Sequence, residues 1–261
     1  MSTLGGPIQI TTRNIWALVL RDMQTQYGGR ALGYLWGILD PMGLIAVLGI
    51  VFYFVGHPSP LGGSPLLFFA TGVIPLRTYS KTVMKVGKVP QSSKSLLYFP
   101  IIKPIDAFIA TVLLQVFTML MALLFFIVGF YVVDGSGVPD DWFKTFIPFV
   151  FMAIYAFSLG VISSVMMIYF KFWDKIWKML NRPTFIISGI FFLADSLPLS
   201  AQKVLYYNPF LHCVEWARSG YYATFESKFC DPNYIYVTAG GLLFIALLLE
   251  RMFRRQLLSS A

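Results

Sequence analysis

The chain has 261 residues, of which 57% are hydrophobic, 17% aromatic and only 12% charged, with a formal net charge of +8. A soluble domain carries roughly twice that charged fraction, about 25%, and here the apolar residues come in blocks. The composition therefore excludes an ordinary water-soluble domain and points to an all-α polytopic membrane protein. The two cysteines, Cys213 and Cys230, exclude a disulfide-dense fold or a cysteine metal framework.

Residues 1–29 are too polar for a secretory signal and carry no small-residue cleavage site, so no leader is expected to be removed. From 8 to 27, Trp16, Leu20, Met23 and Tyr27 recur at helical spacing, with Arg13, Arg21 and Gln24 elsewhere on the wheel. That pattern predicts an amphipathic helix lying in the membrane interface; a frayed polar tail is the alternative. Residues 1–32 form an N-terminal cytoplasmic segment in this reading, and 33–261 the transmembrane domain.

Six blocks reach the roughly 20 apolar residues that a spanning helix needs, at 33–56, 65–86, 106–133, 143–170, 178–197 and 234–250. The third and fourth are long enough to tilt or to extend past the bilayer. The fifth carries Asn181, Arg182 and Pro183 near its start. Between the fifth and sixth, 198–232 is too apolar for a solvated loop but is broken by Asn208-Pro209 and Gly220. Short re-entrant helices, dipping into the membrane from outside and shielded by protein or a water-filled cavity, fit that stretch.

Basic residues set the orientation. Arg13, Arg21 and Arg30 precede the first span; Lys81, Lys85, Lys88, Lys94 and Lys103 surround the connection 86–104. Lys171, Lys175, Lys178 and Arg182 flank the fourth connection, and Arg251, Arg254 and Arg255 follow the last span. Fifteen of the twenty basic residues thus fall on one side, which places both termini in the cytoplasm. Topology accounts for the net charge, so no nucleic-acid partner is invoked.

Enzymatic chemistry is not legible. No GxxxxGK[ST] phosphate loop occurs, His57 and His212 have no metal-ligand spacing, and no nucleophile, base and orienting group assemble. If the protein does work, another subunit supplies the energy.

The polar residues inside the spans remain. Thr71, Pro75, Thr78, Thr82 and Lys85 share one face of the second span; Asn181, Thr184, Ser188, Phe192 and Asp195 share one face of the fifth. Two polar stripes fit a hydrated path between helices, or hydrogen bonding between neighbouring helices. Asp40 lies roughly 10 Å inside the first span and Arg77 roughly 14 Å inside the second, at 1.5 Å per residue. Either they pair across adjacent helices, or each snorkels or meets cavity water separately. In the second case Arg77 becomes a contact for an anionic substrate. Trp36, Trp173 and Trp177 sit at cytoplasmic membrane edges, as belt residues or as faces over which sugar rings slide. Cys213 and Cys230 fall on the outer side, as a disulfide or as two thiols.

The stretch "LRDMQTQYGGRALGYLWGILDP" (20–41) resembles the entry segment of the membrane subunit of ABC exporters of the ABC-2 type. "ATGVIPLRTYSK" (70–81) resembles that family's second-helix stretch, and "NPFLHCVEWARSGYY" (208–222) its outer Asn-Pro and downstream Arg. "LLYFPIIKPIDAFIA" (96–110) is similar to a narrower subgroup, the capsular polysaccharide export permeases. Arg77 and Lys81 are more basic than that subgroup's usual residues, which favours a more acidic polymer.

The resemblance implies a homodimer, six helices per protomer, with two copies of a nucleotide-binding ATPase subunit that carries ATP and Mg. No cofactor or metal is implied on this chain. A periplasmic adaptor and an outer-membrane polysaccharide exporter are the further partners implied, and a lipid-linked acidic polysaccharide is the cargo. Docking of the ATPase would fall to Arg21, Asp22, Leu96, Leu97, Tyr98 and Lys103. The path would be lined by Trp36, Asp40, Thr71, Arg77, Thr78, Thr82, Asn181, Thr184, Ser188 and Phe192. Asn208, Pro209, Glu215 and Arg218 would shape the outer re-entrant region. The alternatives are export of an O-antigen or teichoic acid, a drug or lipid exporter, and an ATP-independent channel. The expected location is the bacterial inner membrane.

Overall fold

The computed structural model of the chain describes residues 7–28, 31–56, 59–94, 102–135 and 137–259. Every regular element among them is helical: α1 (Pro7–Tyr27), α2 (Ala31–Val55), α3 (Pro65–Gly87), α4 (Val89–Ser92), α5 (Pro104–Asp134), α6 (Trp142–Tyr169), α7 (Trp173–Ile187), α8 (Leu199–Leu205), α9 (Pro209–Tyr221) and α10 (Pro232–Ser259). Among the described residues four stretches are long and apolar enough to cross a membrane: Gly33–Val55, Pro104–Asp134, Trp142–Tyr169 and Pro232–Leu258. They match the first, third, fourth and sixth blocks of the sequence.

The second block became α3, which lies at the centre against α2, α5, α6 and α9. Every residue from Phe68 to Leu76 is buried. A helix enclosed by protein need not be uniformly apolar, because its polar groups meet protein partners rather than lipid. The packing of α3 against α6 is close. A Cβ on Gly160 would lie 2.6 Å from the Val86 side chain, so only glycine lets the two backbones come this near.

Helix starts follow from local chemistry. Asp141 caps α6 by accepting from Phe143 N at 2.9 Å and Lys144 N at 3.1 Å. The Lys-Pro-Ile-Asp block opens α5. Lys103 is its N-cap, Pro104 sits where no N–H is needed, and Asp106 reaches back to Lys103 N at 3.3 Å.

The fifth block departs from the expected continuous span over 178–197. Its helix, α7, ends at Ile187. Gly189 then turns the chain with φ 79°, and a Cβ there would lie 2.5 Å from Leu211 of α9. A short 3-10 turn at Ala194–Ser196 leads to α8 and α9. Glycine's freedom at positive φ, together with this close approach, breaks the segment where hydropathy alone reads on.

Two ends can be distinguished. At one, Leu18 of α1, Val86, Val89, Phe108, Ala246 and Leu257 form a single cluster that ties α1 to α3, α4, α5 and α10. At the other, Asp141 N donates to Gly220 O at 2.8 Å, and the Tyr206 hydroxyl donates to Asp231 at 2.7 Å.

Candidate functional site

A cavity of about 880 Å³ opens between α2, α3 and α7 at the α1 end, with Gln26 of α1 and Gln115 of α5 on its wall. Among the described residues its lining holds five cations, Arg77, Lys81, Lys85, Lys178 and Arg182, against one acid, Asp40. Arg77, Lys81 and Lys85 are spaced four apart and so share one face of α3; Lys178 and Arg182 stand four apart on α7. Trp36 and Phe185 supply aromatic wall, and Trp36 is 75% exposed. A single-sign lining in a recess bounded by low-dielectric walls concentrates positive potential and favours anions.

The partners inside the cavity are specific. Lys81 Nζ lies 2.6 Å from Asp40 Oδ2, so the acid in the first span pairs with Lys81 and not with Arg77. The two bases are one helical turn apart, and the rotation of α3 against α2 presents Lys81. Arg77 lies 5.9 Å from the Phe185 ring centroid, and its Nε has no hydrogen-bond partner. Lys85 donates to Gln26 at 2.5 Å, and Gln115 donates to the same oxygen at 3.1 Å. Asn181 donates to Ser80 O at 3.5 Å.

Of the expected path residues, the cavity therefore gathers Trp36, Asp40, Arg77 and Asn181. It does not gather the threonine stripe. Thr71, Thr78 and Thr82 are buried inside the protomer; Thr71 and Thr78 hydrogen-bond back to Phe68 O at 2.9 Å and Ile74 O at 3.0 Å. A hydroxyl that satisfies itself on its own helix can face a packed neighbour. Thr184 and Ser188 do the same, to Leu180 O at 3.0 Å and Thr184 O at 2.5 Å. Phe192 lies beyond the break and packs against Ala194, Leu211 and Phe229. Sequence reasoning placed Lys85 in the polar stripe of the second span and read Lys81 as a sign of an acidic polymer, but did not join them to Lys178 and Arg182, which it counted only as topology signals. Their repeated spacing of four was the signal that could have found them.

The residues expected in the outer re-entrant region, Asn208, Pro209, Glu215 and Arg218, come together around the break after α7. Asn208 caps α9 by accepting from Phe210 N at 3.1 Å, while its amide donates to Ile187 O at 3.1 Å. Pro209 occupies the first position of α9. Arg218 and Glu215 are fully buried and pair at 3.5 Å. The guanidinium also donates to Phe192 O at 3.1 Å and Ile190 O at 3.3 Å, and lies 4.0 Å above the Phe68 ring. Glu215 accepts from Ala194 N at 3.2 Å. These side chains replace the helical hydrogen bonds that 188–194 forfeits. Cys213 and Cys230 are free thiols.

The N-terminal helix turns its polar pair inward. Arg21 bonds Asp22 and donates to Ser93 of the α4 segment at 3.1 Å; Asp22 accepts from Thr111 of α5 at 3.5 Å. Asp22 is thus buried within the protomer and joins α1 to α5, while Arg21 joins α1 to the following connection. Leu96, Leu97 and Tyr98 lie outside the described residues. On the other face of α1, Ile10, Trp16, Leu20 and Met23 are exposed, as an interfacial helix requires.

A family model described as ABC-2 type transporter matches residues 13–222. The capsule polysaccharide export inner-membrane protein BexB of Haemophilus influenzae is 26% identical over 255 residues, 97% of this chain and 96% of the relative. The polysialic acid transport protein KpsM of Escherichia coli is 28% identical over 261 residues, the full length of both. The capsule polysaccharide export inner-membrane protein CtrC of Neisseria meningitidis serogroup B is 25% identical over 248 residues, 95% of this chain and 94% of the relative.

Proposed function

The chain belongs to the ABC-2 type transporter family, and from that premise we propose that it is the membrane permease subunit of an ATP-driven exporter of capsular polysaccharide. The cation-lined cavity between α2, α3 and α7 carries the reading. Five bases that outnumber a single acid suit an anionic polymer or an anionic lipid anchor, and an aromatic wall suits sugar rings. The names of the three relatives support the same cargo class.

In this reading the protein sits in a bacterial inner membrane with both termini cytoplasmic. Four long helices cross it, joined by α3 and by α7 with its broken continuation, so that each protomer crosses six times. The segments α8 and α9 dip back from the outer side. Two protomers enclose the conduit, and two copies of an ATPase subunit carry ATP and Mg. The permease itself performs no covalent chemistry. The ATPases engage the α1 end through the connection that includes Leu96, Leu97, Tyr98 and Lys103. The bond from Arg21 of α1 to Ser93 of that connection, beside the bond from Thr111 of α5 to Asp22, supports this, because a push on either element moves the other. A periplasmic adaptor and an outer-membrane exporter receive the lipid-linked polymer.

The test is co-purification from the native gene neighbourhood with ATP hydrolysis assayed. A stoichiometric ATPase, released when Leu96, Leu97 and Tyr98 are replaced by Asp, is the expected result. A protein that purifies alone and without hydrolysis overturns the exporter reading in favour of a passive channel.

A further inference from the structure

Asp40 is the one acid among the described residues lining the cavity, against five cations, and it is committed to one of them. Its Oδ2 meets Lys81 Nζ at 2.6 Å across the gap between α2 and α3, with both side chains part-exposed, at 42% and 25%. The next base along α3, Arg77, has an Nε without a hydrogen-bond partner. Asp40 also stands at the joint of its helix. Pro41 has no N–H, so the carbonyl of Gly37, itself on the cavity wall, lacks its helical donor. Beyond that joint α2 is pressed to α3, since Gly49 leaves no room for a Cβ against Leu66. On the near side Trp36 stands open to the cavity.

Resting on the reading of the cavity as the path of an anionic cargo, we infer that Asp40 is a displaceable internal counter-ion. It neutralises Lys81 while the cavity is empty, and an anionic group of the cargo, a phosphate or a carboxylate, takes Lys81 from it. Arg77, one turn along the same face, is the second ligand of that group. A two-oxygen anion can bridge bases spaced four apart on a helix, and the guanidinium of Arg77, which lines the cavity, forms charge-assisted hydrogen bonds with such a group. Asp40 held by Lys81 makes no ion pair with Arg77, so the cargo gains a contact that the internal acid does not make. Lys81 thereby stays paired in the absence of cargo, and the pairing sets the threshold that an incoming anion must exceed.

Binding of three probes to the purified full-length protein in neutral detergent tests this. The probes are oleoyl lysophosphatidic acid, a galacturonic acid oligomer and uncharged monoolein. Wild type is expected to prefer an anionic probe over monoolein. Asp40→Asn tightens that probe about two- to fivefold, the range of a part-exposed ion pair. Asp40→Glu, which can keep the pair, stays near wild type. Asp40→Ser repeats the test should the amide disturb α2. In a Lys81→Gln background Asp40→Asn adds nothing. The probe that shows the gain identifies the source, an anchor phosphate or sugar carboxylates. A gain that persists without Lys81 overturns the counter-ion role, because it then reflects a general change of field. So does unchanged or weakened binding in Asp40→Asn while the wild-type preference for anions remains and Arg77→Gln lowers it. Equal binding of all three probes to wild type overturns the reading of the cavity as an anion path, and this inference with it.

Discussion

Removing Arg218 should unfold the half of the protein around α9 more readily than any single change in the cavity. The guanidinium is fully buried and holds four partners at once: Glu215 at 3.5 Å, Phe192 O at 3.1 Å, Ile190 O at 3.3 Å and the Phe68 ring at 4.0 Å. Breaking a buried ion pair from one side costs about 3–5 kcal/mol, because the remaining charge has no compensation. Two carbonyls left without donors add about 1–3 kcal/mol each, partly overlapping with that figure. Arg218→Met is therefore expected to lose about 4–6 kcal/mol, and at about 2–3 °C per kcal/mol for a chain of this size the melting temperature falls by roughly 10 °C or more. Arg218→Lys should fall between, since one ammonium cannot serve both carbonyls and the carboxylate in the fork geometry. Glu215→Met combined with Arg218→Met should recover part of the loss, because no charge is then left buried. The assay is thermal unfolding in detergent read by a thiol-reactive dye. Cys213, on α9, is fully buried and becomes reactive only when that helix leaves its site. An Arg218→Met protein that melts within about 2 °C of wild type, or strictly additive losses in the double variant, would refute the reasoning.

Gly220→Ala tests the seam between α9 and α6. A Cβ there would lie 2.6 Å from Thr145 N and 2.8 Å from Lys144 C, both backbone, so nothing flexible can yield. Overpacking of this kind costs about 1–3 kcal/mol, whereas Gly240→Ala, which meets nothing within 4 Å, should melt at or slightly above wild type. His212 lies outside the spanning helices. Asp231 N donates to its Nδ1 at 3.1 Å, and its Nε2 pairs with Tyr206 O at 2.8 Å, an arrangement that the neutral ring satisfies. Burial holds its pKa below the ordinary 6.5. A depressed folded-state value means that stability is whole above pH 6.5 and is lost as pH falls from there through the folded value. Melting temperatures of wild type should drop on acidification from pH 7.5 to 5.5 more than those of His212→Gln, and parallel curves would refute the assignment.

Much of the fold was legible because it is local. Hydropathy over about 20 residues fixes where a helix can lie in lipid, and the four long helices sit where the apolar blocks are. The starts at Ser64, Lys103, Asp141 and Asn208 follow from side chains within three residues of each cap. The Asn-Pro and downstream Arg of 208–218 were legible as a group, though not as the brace for the break at Gly189.

What only the tertiary structure decided is which way each helix faces. Periodicity placed Thr71, Thr78, Thr82 and Lys85 on one face of α3, but could not say whether that face meets a cavity; of the four only Lys85 lines it, beside Arg77 and Lys81. A threonine satisfied on its own helix reads the same whether it faces water or a packed neighbour, so polarity alone does not separate the two. Asp40 had two bases within reach of the same depth, Arg77 and Lys81. The choice fell to the rotation of α3 about its axis, set by contacts such as Gly160 against Val86 that lie far apart in the chain. Depth in the membrane is a property of a segment, and pairing is a property of two segments together, so the first was fixed by the order of residues and the second only by how the helices pack.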